Sequence, residues 1–202
     1  MAANGPGGAV SGPPSRNPPA RLLAVVADLG QAVAAVLAGA DLIELAAPDG
    51  QAAAVPALLR ARCQGVLVCA DEPGADLVRD PPIARATGAR LICAGLAEAA
   101  ACGLPAGQVI VQVTPGEVTM AAKAGWAALV DADAADAAAV AASGTDSDPA
   151  GLAGVVAAAA LGCWLGAALV RTRHVRPVRR ALDMTAVIRG TRPPARTLRG
   201  LA

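Results

Sequence analysis

Short apolar runs alternate along the chain with alanine-rich stretches of helical character. Each run is continuously apolar rather than alternating, which is typical of parallel strands with both faces buried. On this basis eight strands are predicted, at residues 22–26, 41–46, 65–70, 75–80, 90–95, 108–113, 127–130 and 164–170. Helices are predicted between them, at residues 31–38, 52–62, 83–87, 97–102, 117–124, 134–142 and 149–161. A final amphipathic helix is predicted to open at Pro177 and to close at Gly190.

Strands that alternate with helices predict an α/β fold, and eight of them predict a (β/α)8 TIM-like barrel. Two features keep open whether the barrel closes. The chain has only 202 residues, and almost no helix fits between Ala70 and Ala75. We therefore expect a compact or incompletely closed barrel, with a doubly wound sheet as the alternative.

Composition divides the chain into three parts. Residues 1–20 are rich in Gly, Pro and Ser and are predicted to form a disordered tail. Residues 21–190 hold all the predicted strands and helices, and residues 191–202 form a basic C-terminal tail. No Phe or Tyr occurs, so the core is expected to depend on many small contacts rather than on aromatic anchors.

Residues 151–170 form a twenty-residue run without charge, and arginines follow it. This pattern resembles a membrane span with a positive cytoplasmic flank, so a small membrane-anchored protein is one hypothesis. The run is mostly Ala and Gly, however, and these residues contribute little to insertion. A buried helix that breaks near Leu161-Gly162 and continues as a strand is the preferred interpretation, and membrane association is not expected.

Charge is distributed unevenly. The net charge of +1 argues against a general nucleic-acid binder, but residues 171–202 carry nine arginines and one acidic residue. Arg171, Arg173 and His174 lie where the last predicted strand leads into the final helix, a place that favours phosphate-like anions in parallel α/β folds. The alternative is that both arginines coat the rim of the barrel, paired with Asp131 or Asp133.

The five cysteines show no CxxC pair and no metal-ligand spacing with His174. Cys69 and Cys93 fall inside apolar runs, which suits reduced, buried thiols in a cytoplasmic protein. No metal site and no cofactor are predicted from these residues.

Several motifs resemble the dihydropteroate synthase family, in the expected order. Ala38-Gly-Ala-Asp-Leu-Ile-Glu-Leu45 is similar to the family's second strand, and Gly74-Ala-Asp-Leu-Val-Arg-Asp80 to its fourth. Residues 103–112 and 125–130 are similar to the approach to its sixth strand and to its seventh strand. The C-terminal Arg-Pro-Pro-Ala-Arg-Thr-Leu-Arg-Gly-Leu-Ala resembles the tail of the family's divergent second paralogue.

The resemblance implies a pterin-binding barrel of the folate pathway and a role for several residues. The family makes dihydropteroate from a pterin pyrophosphate and p-aminobenzoate, with Mg²⁺ drawing charge from the diphosphate. Its last strand ends in Arg-Val-His, which places its arginine on Arg171 and its histidine on Arg173, one place before His174. Asp80 can stand for the fourth-strand aspartate, and Gln112 replaces the sixth-strand aspartate that reads the pterin.

Other family groups are absent from this sequence. The Asn-x-Thr-Pro-Asp-Ser loop after the first strand is missing, because residues 22–31 run straight into the first helix. The third-strand Val-Asp-Thr becomes Val68-Cys69-Ala70, and the fourth-strand Asn becomes Arg79. The seventh-strand Ser-x-Lys becomes residues 133–135, Asp-Ala-Ala.

The sequence therefore predicts a dihydropteroate-synthase-like protein that lacks transferase activity. We expect a vestigial anion site at Arg171, Arg173 and His174 and vestigial pterin contacts at Asp80 and Gln112. An active transferase, which would need Mg²⁺, is the alternative. Glu44 and Asp80 as paired carboxylates are a further catalytic hypothesis. By resemblance, a homodimer through the C-terminal helix is also predicted, with Val178, Leu182, Thr185 and Val187 near the contact.

Overall fold

The computed structural model describes residues 19–46, 57, 60, 63, 65–71, 74–143 and 151–193. Within these residues, eight parallel strands close into one barrel in chain order. The strands are β1 (Arg21–Val26), β2 (Leu42–Leu45), β3 (Leu67–Cys69), β4 (Leu77–Val78), β5 (Arg90–Cys93), β6 (Val109–Gln112), β7 (Ala127–Asp131) and β8 (Leu169–Thr172). The helices around them are α1 (Leu29–Leu37), α2 (Pro81–Thr87), α3 (Leu96–Ala101), α4 (Val118–Lys123), α5 (Ala132–Ser143), α6 (Leu152–Leu165) and α7 (Val175–Ile188).

The predicted α/β barrel is confirmed, and both the incompletely closed form and the doubly wound sheet are wrong. Strand β4 is only two residues long, yet Cys69 of β3 pairs with Leu77. Leu77 and Val78 then pair with Arg90 and Leu91 of β5. The short connection between β3 and β4 therefore bridges neighbouring strands without opening the barrel. The predicted helix at residues 52–62 lies outside the described residues apart from positions 57 and 60, as do most of both predicted tails.

One apolar side chain from each strand fills the barrel interior. All eight are buried: Leu23, Leu42, Cys69, Leu77, Ile92, Ile110, Leu129 and Leu169. We call this set the interior ring. Because side chains on a strand alternate between its two faces, a residue two positions after a ring member also points inward, at the carboxyl end of the barrel. A residue two positions before a ring member points inward at the amino end.

The prediction for the last strand was wrong at its start. Helix α6 continues through Trp164 to Leu165, and β8 begins only at Leu169. Gly162 lies inside the helix and does not break it. Its lack of a side chain allows α6 to pack closely against β7, since a Cβ there would lie 3.0 Å from Cγ2 of Val130. The helix ends instead at Gly166, whose φ of 101° is in the left-handed region that favours glycine.

The same correction applies to the alternative hypothesis of a membrane span at residues 151–170. Residues 151–170 are divided between α6, a turn and the first half of β8. Within the described ranges no helix combines the length and the apolar character needed to cross a membrane.

The final helix begins two residues earlier than predicted. Helix α7 starts at Val175, so Pro177 lies in its first turn, where a missing N–H leaves no hydrogen bond unmade. Gly190, with φ of 71°, follows its end as predicted. Helix α7 packs its apolar side, including Val178, Leu182 and Thr185, into the protein's own core.

A charge network at the barrel mouth

Four charged side chains meet at the carboxyl end of the barrel. Each lies two positions after a member of the interior ring: Glu44 on β2, Arg79 after β4, Asp131 on β7 and Arg171 on β8. This end of a (β/α)8 barrel is where active sites are built. We call these four residues the mouth network.

Arg171 is at the centre of the mouth network. Its Nε and one terminal nitrogen donate to the two carboxylate oxygens of Glu44, at 2.7 and 3.0 Å. Its other terminal nitrogen donates to Oδ2 of Asp131 at 2.5 Å. Arg79 completes the network by donating to Glu44 Oε1 at 3.2 Å. Since two arginines face two carboxylates, the network is formally neutral.

Burial makes these contacts strong. The Glu44 and Asp131 side chains are only 13% and 9% exposed, and that of Arg171 is 23% exposed. Burial alone would raise the pKa of Glu44, but the hydrogen bonds and charge of Arg171, with help from Arg79, hold it below the ordinary value. Hydrogen bonding to Glu44 raises the pKa of Arg171 against the effect of burial, and Asp131 adds to this. Glu44 and Arg171 are therefore both charged at neutral pH.

The mouth network also affects the pKa of Cys69, the interior-ring residue on β3. Burial, and then the negative charge of Glu44, raise the pKa of its thiol to about 12. A thiol with this pKa is protonated and unreactive at neutral pH. Cys69 is therefore a core residue and not a nucleophile.

A second cluster organises the turn between β8 and α7. Asp133 accepts a hydrogen bond from the Thr172 hydroxyl at 2.7 Å and another from the backbone N–H of Arg173 at 2.9 Å. The Thr172 hydroxyl in turn accepts from the backbone N–H of His174 at 3.0 Å. Asp133 thus accepts hydrogen bonds from donors that a ligand at the mouth could otherwise use.

The structure separates the residues predicted for the anion site. Arg171 lies inside the mouth network, bonded to Glu44 and Asp131. Arg173 is exposed, its guanidinium has no ion pair with any described residue, and it borders a cavity of about 540 Å³ that also touches Val25 and Val175. His174 is the residue that precedes α7, and its side chain makes no capping hydrogen bond.

The two predicted pterin contacts also have different surroundings. Gln112 lines a cavity of about 410 Å³ beside Asp131 and Ala135. Asp80 is occupied by the start of α2, where its carboxylate accepts from the backbone N–H of Ile83 at 3.0 Å. Glu44 bonds to arginines, so Glu44 and Asp80 have separate partners rather than forming a carboxylate pair.

Sequence reasoning missed Glu44 as the partner of Arg171, because 127 positions separate them. It also missed Arg79 as a second partner of Glu44. The missing loop after the first strand, in contrast, is confirmed. Only Ala27 and Asp28 connect β1 to α1, and Asp28 caps the helix by accepting from the backbone N–H of Gln31 at 2.8 Å.

The described residues form a (β/α)8 barrel with a charged site at the carboxyl end of its strands. Solved structures with this architecture include the Mycobacterium tuberculosis protein Rv1207, with a TM-score of 0.66 and 24% identity over 88% of this chain and 94% of that chain. A dihydropteroate synthase from Coxiella burnetii, solved in complex with pteroic acid, matches with a TM-score of 0.66 and 14% identity over 87% and 94% of the two chains. These likenesses show the fold.

The similar curated sequences are proteins called inactive dihydropteroate synthase 2. The chain is 51% identical over 51 residues to the inactive dihydropteroate synthase 2 of Mycobacterium tuberculosis and of Mycobacterium leprae. That match covers 25% of this chain but only 16% and 18% of those relatives, so it spans less than a fifth of their length. No protein-family model matches the chain. Over a quarter of its length the chain is thus similar in sequence to proteins called inactive dihydropteroate synthase 2, and its fold is similar to that of dihydropteroate synthases.

The lowered pKa of Glu44 predicts a specific loss of stability in acid. A carboxylate whose folded pKa lies below its ordinary value of 4.5 stabilises the fold above that pH. This stabilisation is lost as the pH falls through the folded pKa. The free-energy difference between the unchanged protein and Glu44→Gln should therefore be large near neutrality and shrink below pH 4.5. Urea unfolding at a series of pH values measures it.

The Arg171→Met background supplies the control. Without Arg171, burial becomes the main influence on Glu44, so Glu44→Gln should stop being destabilising at neutral pH. A Glu44→Gln effect that does not change with pH in the unchanged protein would contradict the assigned ion pair.

Proposed function

We propose that this protein is a catalytically inactive member of the dihydropteroate-synthase-like group. The observation that carries the proposal is the neutral mouth network. Glu44 and Asp131 accept from all three nitrogens of Arg171, which by resemblance corresponds to the family's diphosphate-binding arginine. Three of its five N–H groups are thus taken by carboxylates, whose negative charge opposes an incoming anion. Transition-state stabilisation needs donors that are preorganised and available, and these donors are bonded within the protein.

The short connection between β1 and α1 supports the same conclusion. With only two residues there, that connection cannot cover the cavities beside Gln112 and Arg173. A site without this cover is more accessible to water, which weakens the charge interactions on which phosphate-leaving chemistry depends.

The family's Mg²⁺ does not fit the residues of the mouth. Mg²⁺ needs several oxygen ligands at near-octahedral positions, but both oxygens of Glu44 bond to guanidinium groups. The Asp131 oxygens bond to Arg171 and, at 3.0 Å, to the backbone N–H of Ala134. The described residues contain no group of three or more His, Cys, Asp or Glu side chains that could hold a metal ion.

A residual anion site of low affinity is part of this proposal. Among the described residues the Arg173 guanidinium has no ion-pair partner, and it lies beside the 540 Å³ cavity. The first N–H groups of α7 after His174 favour negative charge by about 0.3 to 1 kcal/mol. The charge of Arg171 is balanced by Glu44 and Asp131, and Asp133 competes for the Arg173 backbone N–H. A phosphate-like anion or a pterin would bind here weakly, in the millimolar range, equivalent to about 4 kcal/mol.

Two further properties belong to the proposal. All five cysteines are free and buried, which agrees with a cytoplasmic location. A homodimer is proposed through the outer side of α6 and α7. The predicted contact residues Val178, Leu182 and Thr185 are buried in the protein's own core, so exposed residues of the same helices must form the contact.

Product formation tests the proposed loss of activity. Purified protein with pterin pyrophosphate, p-aminobenzoate and Mg²⁺ should form dihydropteroate only at the level of an empty preparation, whereas an active dihydropteroate synthase in the same buffer forms it readily. Formation above the empty preparation, abolished by Arg171→Lys with the fold intact, would show an active transferase instead.

A further inference from the structure

Two arginines enter the barrel from its amino end, opposite the mouth network. Arg90 begins β5 and lies two positions before ring residue Ile92, and Arg21 begins β1 two positions before Leu23. Both side chains therefore point into the barrel at the amino end. Since β1 and β5 are four strands apart in a closed barrel of eight, the arginines approach from opposite sides. We call this region the barrel floor.

The charges of the barrel floor have no partner within the described residues. Nε of Arg90 is buried and makes no hydrogen bond. No ion pair joins Arg21 or Arg90 to any described carboxylate. Burial lowers the pKa of Arg90, and the nearby positive charge of Arg21 lowers it further. A half-buried guanidinium with an unsatisfied Nε, close to a second positive charge, is unfavourable. A bound anion would therefore stabilise the arrangement.

Carboxylates at the same end of the barrel are already used. Oδ2 of Asp41 accepts from the backbone N–H of Leu22 at 2.7 Å and from Arg179 at 3.1 Å. Oδ2 of Asp76 accepts from Arg60 at 2.7 Å and from the backbone N–H of Val68 at 2.9 Å. Neither acid is available to neutralise Arg21 and Arg90.

A cavity of about 660 Å³ adjoins the two arginines. Its other walls are apolar. They consist of Trp126 and of small residues that include Ala127 and Ala168. Ala127 lies two positions before ring residue Leu129, so its short side chain leaves open an inward position that a larger residue would fill. The cavity thus combines a cationic side with an apolar side and an aromatic edge, as small-molecule sites do.

We propose that the barrel floor binds a small organic anion, whose phosphate or carboxylate is held by Arg21 and Arg90 and whose apolar part lies against Trp126. The guanidinium fork suits such oxyanions. Catalytic sites of this fold lie at the opposite, carboxyl end, so the floor is a binding site and not a reaction centre. It is independent of the proposed function, because none of its residues belongs to the mouth network.

Trp126 provides the measurement. The chain has two tryptophans and neither Tyr nor Phe, so Trp164→Leu leaves Trp126 as the remaining source of aromatic emission. In that background, phenyl phosphate should change the Trp126 fluorescence saturably, whereas phenol should not. Arg90→Met and Arg21→Met should each weaken phenyl phosphate binding about tenfold or more, because charge-assisted hydrogen bonds are lost.

Arg180→Met is the matched control, since it removes the same charge from an exposed position on α7 and should leave the titration unchanged. Arg21 begins its strand at an exposed position, so Arg21→Met keeps the test valid if Arg90→Met does not fold. The proposal is overturned if phenyl phosphate gives no saturable change in the millimolar range, or if the three arginine variants bind it equally.

Discussion

Replacing Arg171 by methionine is expected to lower the free energy of unfolding by about 3 kcal/mol, near the lower end of the range for breaking one partner of a buried ion pair. The substitution leaves Glu44 and Asp131 buried, with only Arg79 near Glu44 to compensate. The lower end applies because part of the Arg171 side chain reaches solvent. Denaturant unfolding measures the loss, with Arg180→Met as the exposed control.

The triple variant Arg171→Met, Glu44→Gln, Asp131→Asn separates charge from packing. Removing both carboxylate charges together with the arginine should restore most of the lost stability, because Arg79 is then the one network charge without its partner and its side chain is 33% exposed. If Arg171→Met costs no more than Arg180→Met, or if the triple variant is as unstable as Arg171→Met, the mouth network is not the stabilising unit described above.

Charged substitutions on the outer side of α6 and α7 are expected to convert a dimer to a monomer. Large apolar side chains are exposed on neighbouring turns of these helices: Leu161, Trp164, Met184 and Ile188. The helix ends lie together, because Arg189 donates to the carbonyl oxygen of Cys163 at 2.5 Å. A contiguous apolar surface of this kind is typical of an interface between protein chains.

Light scattering at micromolar concentration should give the mass of two chains for the unchanged protein and of one chain for Met184→Glu, Ile188→Glu. Leu37→Glu is the control, since Leu37 is also exposed but lies on a different helix, α1. A mass of one chain for the unchanged protein would contradict the proposed dimer.

The sequence was sufficient to predict the eight strands and their order, because buried parallel strands are continuously apolar. The continuous apolar character of the strands does not show which way each side chain points. Where both faces of a strand are apolar, no alternation shows which residues point inward, so the ring of Leu23 and its counterparts could not be located. Because the interior ring could not be located, the contact between Glu44 and Arg171 could not be predicted. The proximity of Arg21 and Arg90 at the barrel floor could not be predicted either.

The glycines of α6 led to a wrong prediction of where the helix ends. Gly162 was interpreted as a helix end, although its role is the close approach of α6 to Val130. Gly166, four residues later, ends the helix through its backbone conformation. Both glycines are equivalent in sequence, and only the packing against β7 distinguishes them. The resemblance to the family pointed to Arg171, which lies on β8, and Asp131 was one of its two predicted alternative partners. The contact with Glu44 could not be predicted in this way.

The central claim is that the chain's own carboxylates occupy the donors that an anion would need at the mouth. A pyrophosphate titration followed by NMR tests it most directly, in the unchanged protein and in Asp133→Asn. The unchanged protein should bind in the millimolar range, and Asp133→Asn should bind about tenfold more tightly, because the Arg173 backbone N–H loses its charged partner. Asp183→Asn, the same charge change on α7, should have no such effect. Arg173→Met should weaken binding with or without Asp133→Asn, because it removes the guanidinium beside the cavity. Micromolar binding by the unchanged protein, or equal affinities for the unchanged protein and Asp133→Asn, would contradict the account.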